Sequence, residues 1–169
     1  MAVVRKIVIK EQEDVMQIYA AAYYNMEHNV AVMLQQLNVR QETVRVNLEA
    51  KIAAIQQSSK VVLDELQREA VCEAARNGLL IITGGPGTGK TTTINSIIRL
   101  YELEGLDFML AAPTGRAAKR MSETTGYEAR TIHRMLELNG GMEGNAGFER
   151  NESNPLETDA VIIDEMSMV

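Results

Sequence analysis

The sequence predicts an α/β domain, a parallel sheet with flanking helices, preceded by a small and mainly helical region over 1–60. Three observations carry this. Unbroken apolar runs of strand length recur at 79–83, 108–112 and 160–164. Stretches with helical spacing precede or separate them, and those stretches close on Gly78, Gly105 and Gly126. Continuous apolar runs suit strands covered on both faces, and alternation of strand with helix is the pattern of a doubly wound sheet.

Taken in order, residues 3–9 (VVRKIVI) read as a short β-branched strand. From Glu11 the spacing turns helical, with Val15, Tyr19, Ala22, Met26, Val30, Met33 and Leu37 at steps of three and four. A second stripe, Val44, Leu48, Ile52 and Ile55, predicts another helix, and 56–60 (QQSSK) reads as a linker. Nothing in 1–60 specifies chemistry; its Met and Tyr stripe reads as core. Residues 61–169 form the second region. Asp64 caps a predicted helix over 65–76, with Leu66, Ala70, Ala74 and Ala75 inward and Asn77-Gly78 as its stop. After the first apolar run come a Gly-rich turn, a helix over 90–104, the second run, and a helix over 116–125. Thr131 caps a short helix carrying His133 and Leu136. Residues 139–158, rich in Gly, Asn and Glu, read as a surface loop or irregular hairpin before the last run.

Composition narrows the class. Of 169 residues, 46% are apolar and 24% charged, with 12 Gly, 3 Pro and one Cys, which excludes a collagen, a disulfide scaffold and a disordered tail. Cys72, at helical spacing, reads as a small buried residue in a reducing compartment. No apolar run approaches the roughly 20 residues that span a bilayer, and residues 1–10 lack the pattern of a signal peptide. The expectation is a soluble, cytoplasmic protein without a membrane partner. A net charge of −6 argues against a generally basic nucleic-acid binder. Yet 111–136 holds five basic side chains against two acidic ones, and 137–169 holds one against eight. The local excess reads either as a phosphate-binding patch or as a solvated helix face.

The Gly-rich turn carries the chemistry. Gly84-Gly85-Pro86-Gly87-Thr88-Gly89-Lys90-Thr91 satisfies G-x-x-x-x-G-K-S/T at every fixed position, after a predicted strand and opening a predicted helix. Glycines let backbone N–H groups turn inward around phosphates, and the helix N-terminus adds its positive end. Lys90 is placed to reach the β- and γ-phosphates of ATP, and the Thr91 hydroxyl to bind Mg²⁺. The last apolar run ends in Asp164-Glu165. There the first acid suits the metal side and the second can polarise an attacking water.

Leu66-Gln67-Arg68-Glu69-Ala70-Val71, TGGPGTGKTT, APTGRAAKR (112–120 with Ala112 first), Thr131-Ile132-His133-Arg134 and IIDEMSMV occur in that order across 63–169. This set resembles the superfamily 1 DNA helicases, and is most similar to their RecD-like branch. The resemblance implies a RecA-like ATPase domain that uses ATP and Mg²⁺ and tracks single-stranded DNA, 5′ to 3′, in DNA repair or recombination. It implies that Gln67 contacts adenine, although Asp64 and Gln67 also have capping-box spacing. It implies that the loop through Thr92 cradles the nucleotide. Lys90 and Glu165 become catalytic, and Thr91 and Asp164 hold the metal. Pro113, Thr114, Arg116, Thr131 and His133 lie on the DNA path, where small and hydroxyl groups allow close approach of phosphates and Arg116 adds a fork donor. Lys119 and Arg120 read equally as contacts or as a solvated face.

The chain stops at Val169, directly after the acid pair. It lacks the family's γ-phosphate sensor, second RecA-like lobe and arginine finger, the last worth about 10³–10⁵ in rate in related NTPases. The expectation is therefore the N-terminal part of a longer helicase, inactive by itself, whose exposed sheet edge invites self-association. Other repair or recombination proteins are expected partners. The rival readings are a phosphate-loop ATPase acting on RNA or protein, and a non-catalytic interaction module. Intact Lys90, Thr91, Asp164 and Glu165 count against the last.

Overall fold

The computed structural model describes residues 6–12, 15–40, 47–85, 87–139 and 147–169. They fall into two compact units, 1–45 with 73–81, and 46–72 with 82–169.

In the first unit, strands β1 (Ile7–Gln12) and β2 (Val15–Ala20) form an antiparallel pair with Ile7 opposite Ala20, and helix α1 (Ala21–Leu37) follows. The helical spacing from Glu11 is thus half right. Residues 15–20 are extended because VMQIYA finds a partner strand in the IVIKEQ segment. Alpha1 buries none of its residues; Met26, Val30, Met33 and Leu37 are all exposed, so the expected core stripe faces outward. A close approach closes this unit. Gly78 N–H donates to Val39 C=O at 3.0 Å, and a Cβ on Gly78 would lie 2.0 Å from the Leu37 carbonyl oxygen.

Helix α3 (Glu65–Arg76) has the predicted bounds. At its end Asn77 Nδ2 donates to the Glu73 carboxylate at 2.7 Å, and Arg76 donates to it at 3.1 Å. The Asn77 bond first, and Arg76 second, hold the Glu73 carboxyl below the usual carboxylate range. A depressed carboxyl stabilises the fold above its ordinary pKa and loses that contribution as pH falls through the lowered value. Acid unfolding followed by circular dichroism is expected to lose this component in Glu73→Gln, while the two proteins converge at the lowest pH. Leu66, expected inward, is 75% exposed; Ala75 is buried as expected, and Val71, not singled out by spacing, is buried with it. Cys72 is half-buried rather than enclosed.

In the second unit, helix α2 (Leu48–Ser59) buries Leu48, Ile52 and Ile55, as their spacing predicts; Val44 lies outside the described residues. The QQSSK stretch is the last turn of α2 and not a linker, since Lys60 caps it in the left-handed region and Gln56 Oε1 accepts from Leu63 N–H at 2.9 Å. Helix α4 (Lys90–Glu104) packs beside α2, and Lys51 donates to Glu104 at 2.7 Å. Strand β3 (Phe108–Ala112), helix α5 (Gly115–Thr125), strand β4 (Ala129–Thr131) and the short helix α6 (Ile132–Met135) come next. A small hairpin, β5 (Leu138–Asn139) with β6 (Gly147–Phe148), precedes β7 (Ala160–Ile163).

The sheet is parallel with order β4-β3-β7. Its core is Ile98 of α4, Leu110 of β3 and Met121 of α5, with Ile94, Phe108, Tyr127, Ala129 and Ile162 against them. The α/β class with a three-stranded parallel sheet stands, but one strand differs. Residues 79–83 form no strand; among the described residues they have no ladder partner, and Ile81 is 72% exposed. The third strand is β4 instead. Three residues are too short for a periodicity to show, and pairing with Leu110–Ala112 creates them. Asp159 sets the β3–β7 register, because its carboxylate accepts from Asp107 N–H at 2.9 Å while its own N–H donates to Asp107 C=O.

Candidate nucleotide and nucleic-acid site

The turn of Gly105–Asp107 between α4 and β3 returns the chain at the amino end of the strand, so α4 runs antiparallel to it. The N-terminus of α4 therefore faces the carboxyl edge of the sheet. The same edge carries Pro113-Thr114 after β3, Thr131 at the end of β4, and Asp164-Glu165 after β7. In open α/β sheets this edge is where ligands bind.

The loop ahead of α4 is formed. Gly89 takes φ +76 as the residue before the helix, and a methyl there would run into the side-chain amide of Gln67. Lys90 Nζ donates to the carbonyls of Gly84 at 2.5 Å and Gly85 at 2.9 Å, and Thr88 Oγ1 donates to Gly85 C=O at 2.9 Å. The ammonium thus curls back across the loop and rests on carbonyl oxygens. The first intrahelical bond of α4 runs from Thr93 N–H to Gly89 C=O, so the N–H groups of Lys90, Thr91 and Thr92 have no acceptor within the helix. Positions 85 and 87 have open space where a Cβ would stand. Three N–H groups at the start of a helix, one lysine and open space at two glycines fit a polyphosphate. Pro86 lies outside the described residues. Thr92 lines a groove of about 710 Å³ between α2, α4 and the end of α5.

Gln67 does two things at once. Its N–H donates to Asp64 Oδ1 at 2.8 Å and its Oε1 accepts from Asp64 N–H at 3.1 Å, which is a reciprocal capping box with Asp in place of Ser or Thr. Its NH₂ end lies against Gly89. The cap therefore fixes the side chain and leaves its amide donor at the loop.

Asp164 is fixed by its backbone, whose N–H donates to Ala111 C=O at 3.0 Å. Glu165 N–H donates back to Asp164 Oδ1 at 2.9 Å, and Glu165 sits in the left-handed region at φ 57. For a residue other than glycine this conformation is costly and turns up at functional sites. The Glu165 carboxylate lies 3.9 Å from Arg120 Nη1 of α5. A hydroxyl on Thr91 and a carboxylate on Asp164 are hard oxygen donors of the kind Mg²⁺ takes beside phosphate and water. No group of three or more His, Cys, Asp or Glu placed to hold a metal ion occurs among the described residues.

Thr114 caps α5 by accepting from Ala117 N–H at 3.2 Å, which leaves its O–H free to donate outward. Ala117 and Ala118 are buried against Ala112, so this helix end is anchored to the strand. Pro113 is half-buried and Arg116 exposed. Thr131 caps α6 through Arg134 N–H at 3.2 Å, as its sequence position predicts. His133 is exposed, and its ring stands 6.1 Å from that of Phe148. That aromatic neighbour comes from the β5–β6 hairpin, which no short-range signal around His133 reveals. Lys119 pairs with Glu123 along α5, while Arg120 reaches across to Glu165.

The AAA domain family model matches residues 67–169. The ATP-dependent RecD2 DNA helicase of Deinococcus radiodurans is 40% identical over 116 residues, 69% of this chain and 16% of that protein. The RecBCD enzyme subunit RecD of Mycolicibacterium smegmatis is 35% identical over 128 residues, 62% of this chain and 23% of the subunit. The ATP-dependent DNA helicase dda of Enterobacteria phage T4 is 44% identical over 90 residues, 52% of this chain and 20% of the phage protein. The chain thus spans between about a sixth and a quarter of the length of these relatives. With the loop, the acid pair and the capped α5 lying in the matched residues, the chain belongs to the AAA domain family, as an N-terminal motor part of the RecD-like superfamily 1 helicases.

Proposed function

We propose that the chain is the nucleotide-binding part of an ATP-dependent DNA helicase that moves 5′ to 3′ along single-stranded DNA and serves repair or recombination in the cytoplasm. The observation that carries the reading is the preformed loop, with Lys90 resting on the Gly84 and Gly85 carbonyls at the mouth of α4. A phosphate is a far stronger partner for an ammonium than two neutral carbonyls, so nucleotide binding swings Lys90 from the loop to the β- and γ-phosphates. The residues 84–92 wrap the phosphates, and the Gln67 amide faces the base.

Thr91 and Asp164 would hold Mg²⁺, and the ion would supply positive charge against the phosphates. Glu165 orients the attacking water and accepts its proton. Pro113, Thr114, Arg116, Thr131 and His133 line the strand path at the same sheet edge. Thr114 offers its free O–H and Arg116 its guanidinium to DNA phosphates. Fast hydrolysis requires a second lobe that closes on the γ-phosphate with an arginine, so the chain alone binds nucleotide without unwinding. The exposed edge of the sheet at β7 is the surface through which it self-associates.

Calorimetry of Mg·ATP on the chain, with oligo-dT and oligo-U anisotropy beside it, tests the reading. Nucleotide binding with preference for the DNA strand supports it. No nucleotide binding overturns it, and a preference for RNA turns it toward the rival ATPase class.

A further inference from the structure

The helix that carries the proposed strand contacts also carries a charge that reaches the acid pair. Arg120 Nη1 stands 3.9 Å from Glu165 Oε1, linking the middle of α5 to the end of β7 across 45 positions of sequence. Arg116 and Arg120 are one helical turn apart and project from the same face, away from the buried Ala117, Ala118 and Met121. Arg116 has no ion-pair partner among the described residues, and Lys119 is answered by Glu123. Arg120 therefore has the Glu165 carboxylate within reach and shares an exposed helix face with Arg116.

Resting on the reading of Glu165 as the acid beside the attacking water and of α5 as part of the strand path, we propose that Arg120 is a shared positioning residue. Without nucleic acid it holds the Glu165 carboxylate; when single-stranded DNA binds, it passes to a backbone phosphate and releases Glu165 toward the nucleotide.

The physical chemistry suits an exchange. The pair is exposed, 74% at Arg120 and 36% at Glu165, and stands at the outer limit of ion-pair distance, where such contacts contribute little. A DNA phosphate offers the guanidinium a two-pronged partner and releases counterions on binding. Glu165 is meanwhile prevented from relaxing by its own backbone, with its N–H bonded to Asp164 Oδ1 and its φ at 57. The backbone of Glu165 thus stays in place while its side chain is left to turn from Arg120 toward the nucleotide, which is what a releasable catalytic base needs. Strand binding at α5 and readiness of the acid become one event through a single side chain.

The test is a double-mutant cycle read by fluorescein-labelled oligo-dT anisotropy across a salt series: wild type, Arg120→Gln, Glu165→Gln and the double variant, with Arg116→Gln and Arg116→Gln/Glu165→Gln as controls. Arg120→Gln is expected to weaken binding about three- to tenfold and to reduce the salt slope by about one. Glu165→Gln is expected to tighten binding about two- to fivefold, the size of an exposed ion pair, because Arg120 no longer has a competing anion. That gain vanishes in the double variant but persists in Arg116→Gln/Glu165→Gln. Equal effects of Glu165→Gln with and without Arg120, or unchanged affinity in Arg120→Gln, overturn the inference and leave the strand path standing. If wild type shows no salt-dependent oligo-dT binding, the strand path fails and this inference with it.

Discussion

Lys90→Ala is expected to cost Mg·ATP affinity about 10- to 150-fold in a calorimetric titration of the chain. The figure follows from the charge-assisted bonds one ammonium makes to phosphate oxygens, each worth roughly 1.5–3 kcal/mol. The structure adds a condition to this number. In the free loop Lys90 already spends its donors on the Gly84 and Gly85 carbonyls. Wild-type binding must release those bonds, so the alanine variant loses the phosphate contacts and also the tether that holds the loop in shape. Loss of thermal stability in Lys90→Ala is expected to be small, because the side chain packs against nothing in the core. Affinity unchanged within twofold would show that Lys90 does not reach the phosphates.

Ile98→Ala is expected to destabilise the second unit by about 2–5 kcal/mol in urea unfolding, near the top of what one substitution does. Ile98 is 1% exposed and sits where α4, β3 and α5 meet, against Leu110 and Met121. Removing its outer carbons leaves a cavity bounded by three elements that cannot all shift together. The same helix presents Lys90 at its start, and Ile94 lies one turn before Ile98 on the same core. A loosened α4 is therefore expected to lower nucleotide affinity as well, and Ile98→Val, which removes a single methyl, is expected to cost only about 0.5–1.5 kcal/mol. Unfolding of Ile98→Ala within 1 kcal/mol of wild type would mean that this cluster is not the core.

The contrast between these two positions shows where reading the sequence is strong. Lys90 is legible because the loop is a local device; four fixed positions within eight residues bring glycines, a helix start and a cation together without help from distant chain. The bounds of α3 and α4, and the caps at Asp64 and Thr131, are legible for the same reason. Each depends on bonds between residues three or four apart. Ile98 is legible only as an apolar residue on a helix. Which strands it meets is decided by the sheet.

The run 79–83 makes the limit plain. Its apolar residues have the composition of a buried strand, yet a strand exists only when a neighbour takes its hydrogen bonds, and none of the described strands does so. Conversely Ala129–Thr131 has no strand signature and becomes one because Leu110–Ala112 lies alongside. Residues 15–20 show the same effect, with helical spacing in the sequence overridden by a partner strand.

By itself, then, the sequence determined the α/β class, the phosphate loop, the acid pair, and the helices that begin and end on local caps. Only the tertiary structure decided which strands form the sheet, that α1 turns its apolar stripe outward, that the Gln67 amide abuts Gly89, and that Arg120 answers Glu165. The reason is range. Caps and loops are settled by short-range geometry that neighbouring residues encode, whereas ladder pairing and ion pairs between elements depend on segments tens of residues apart, whose meeting is fixed only when the core closes.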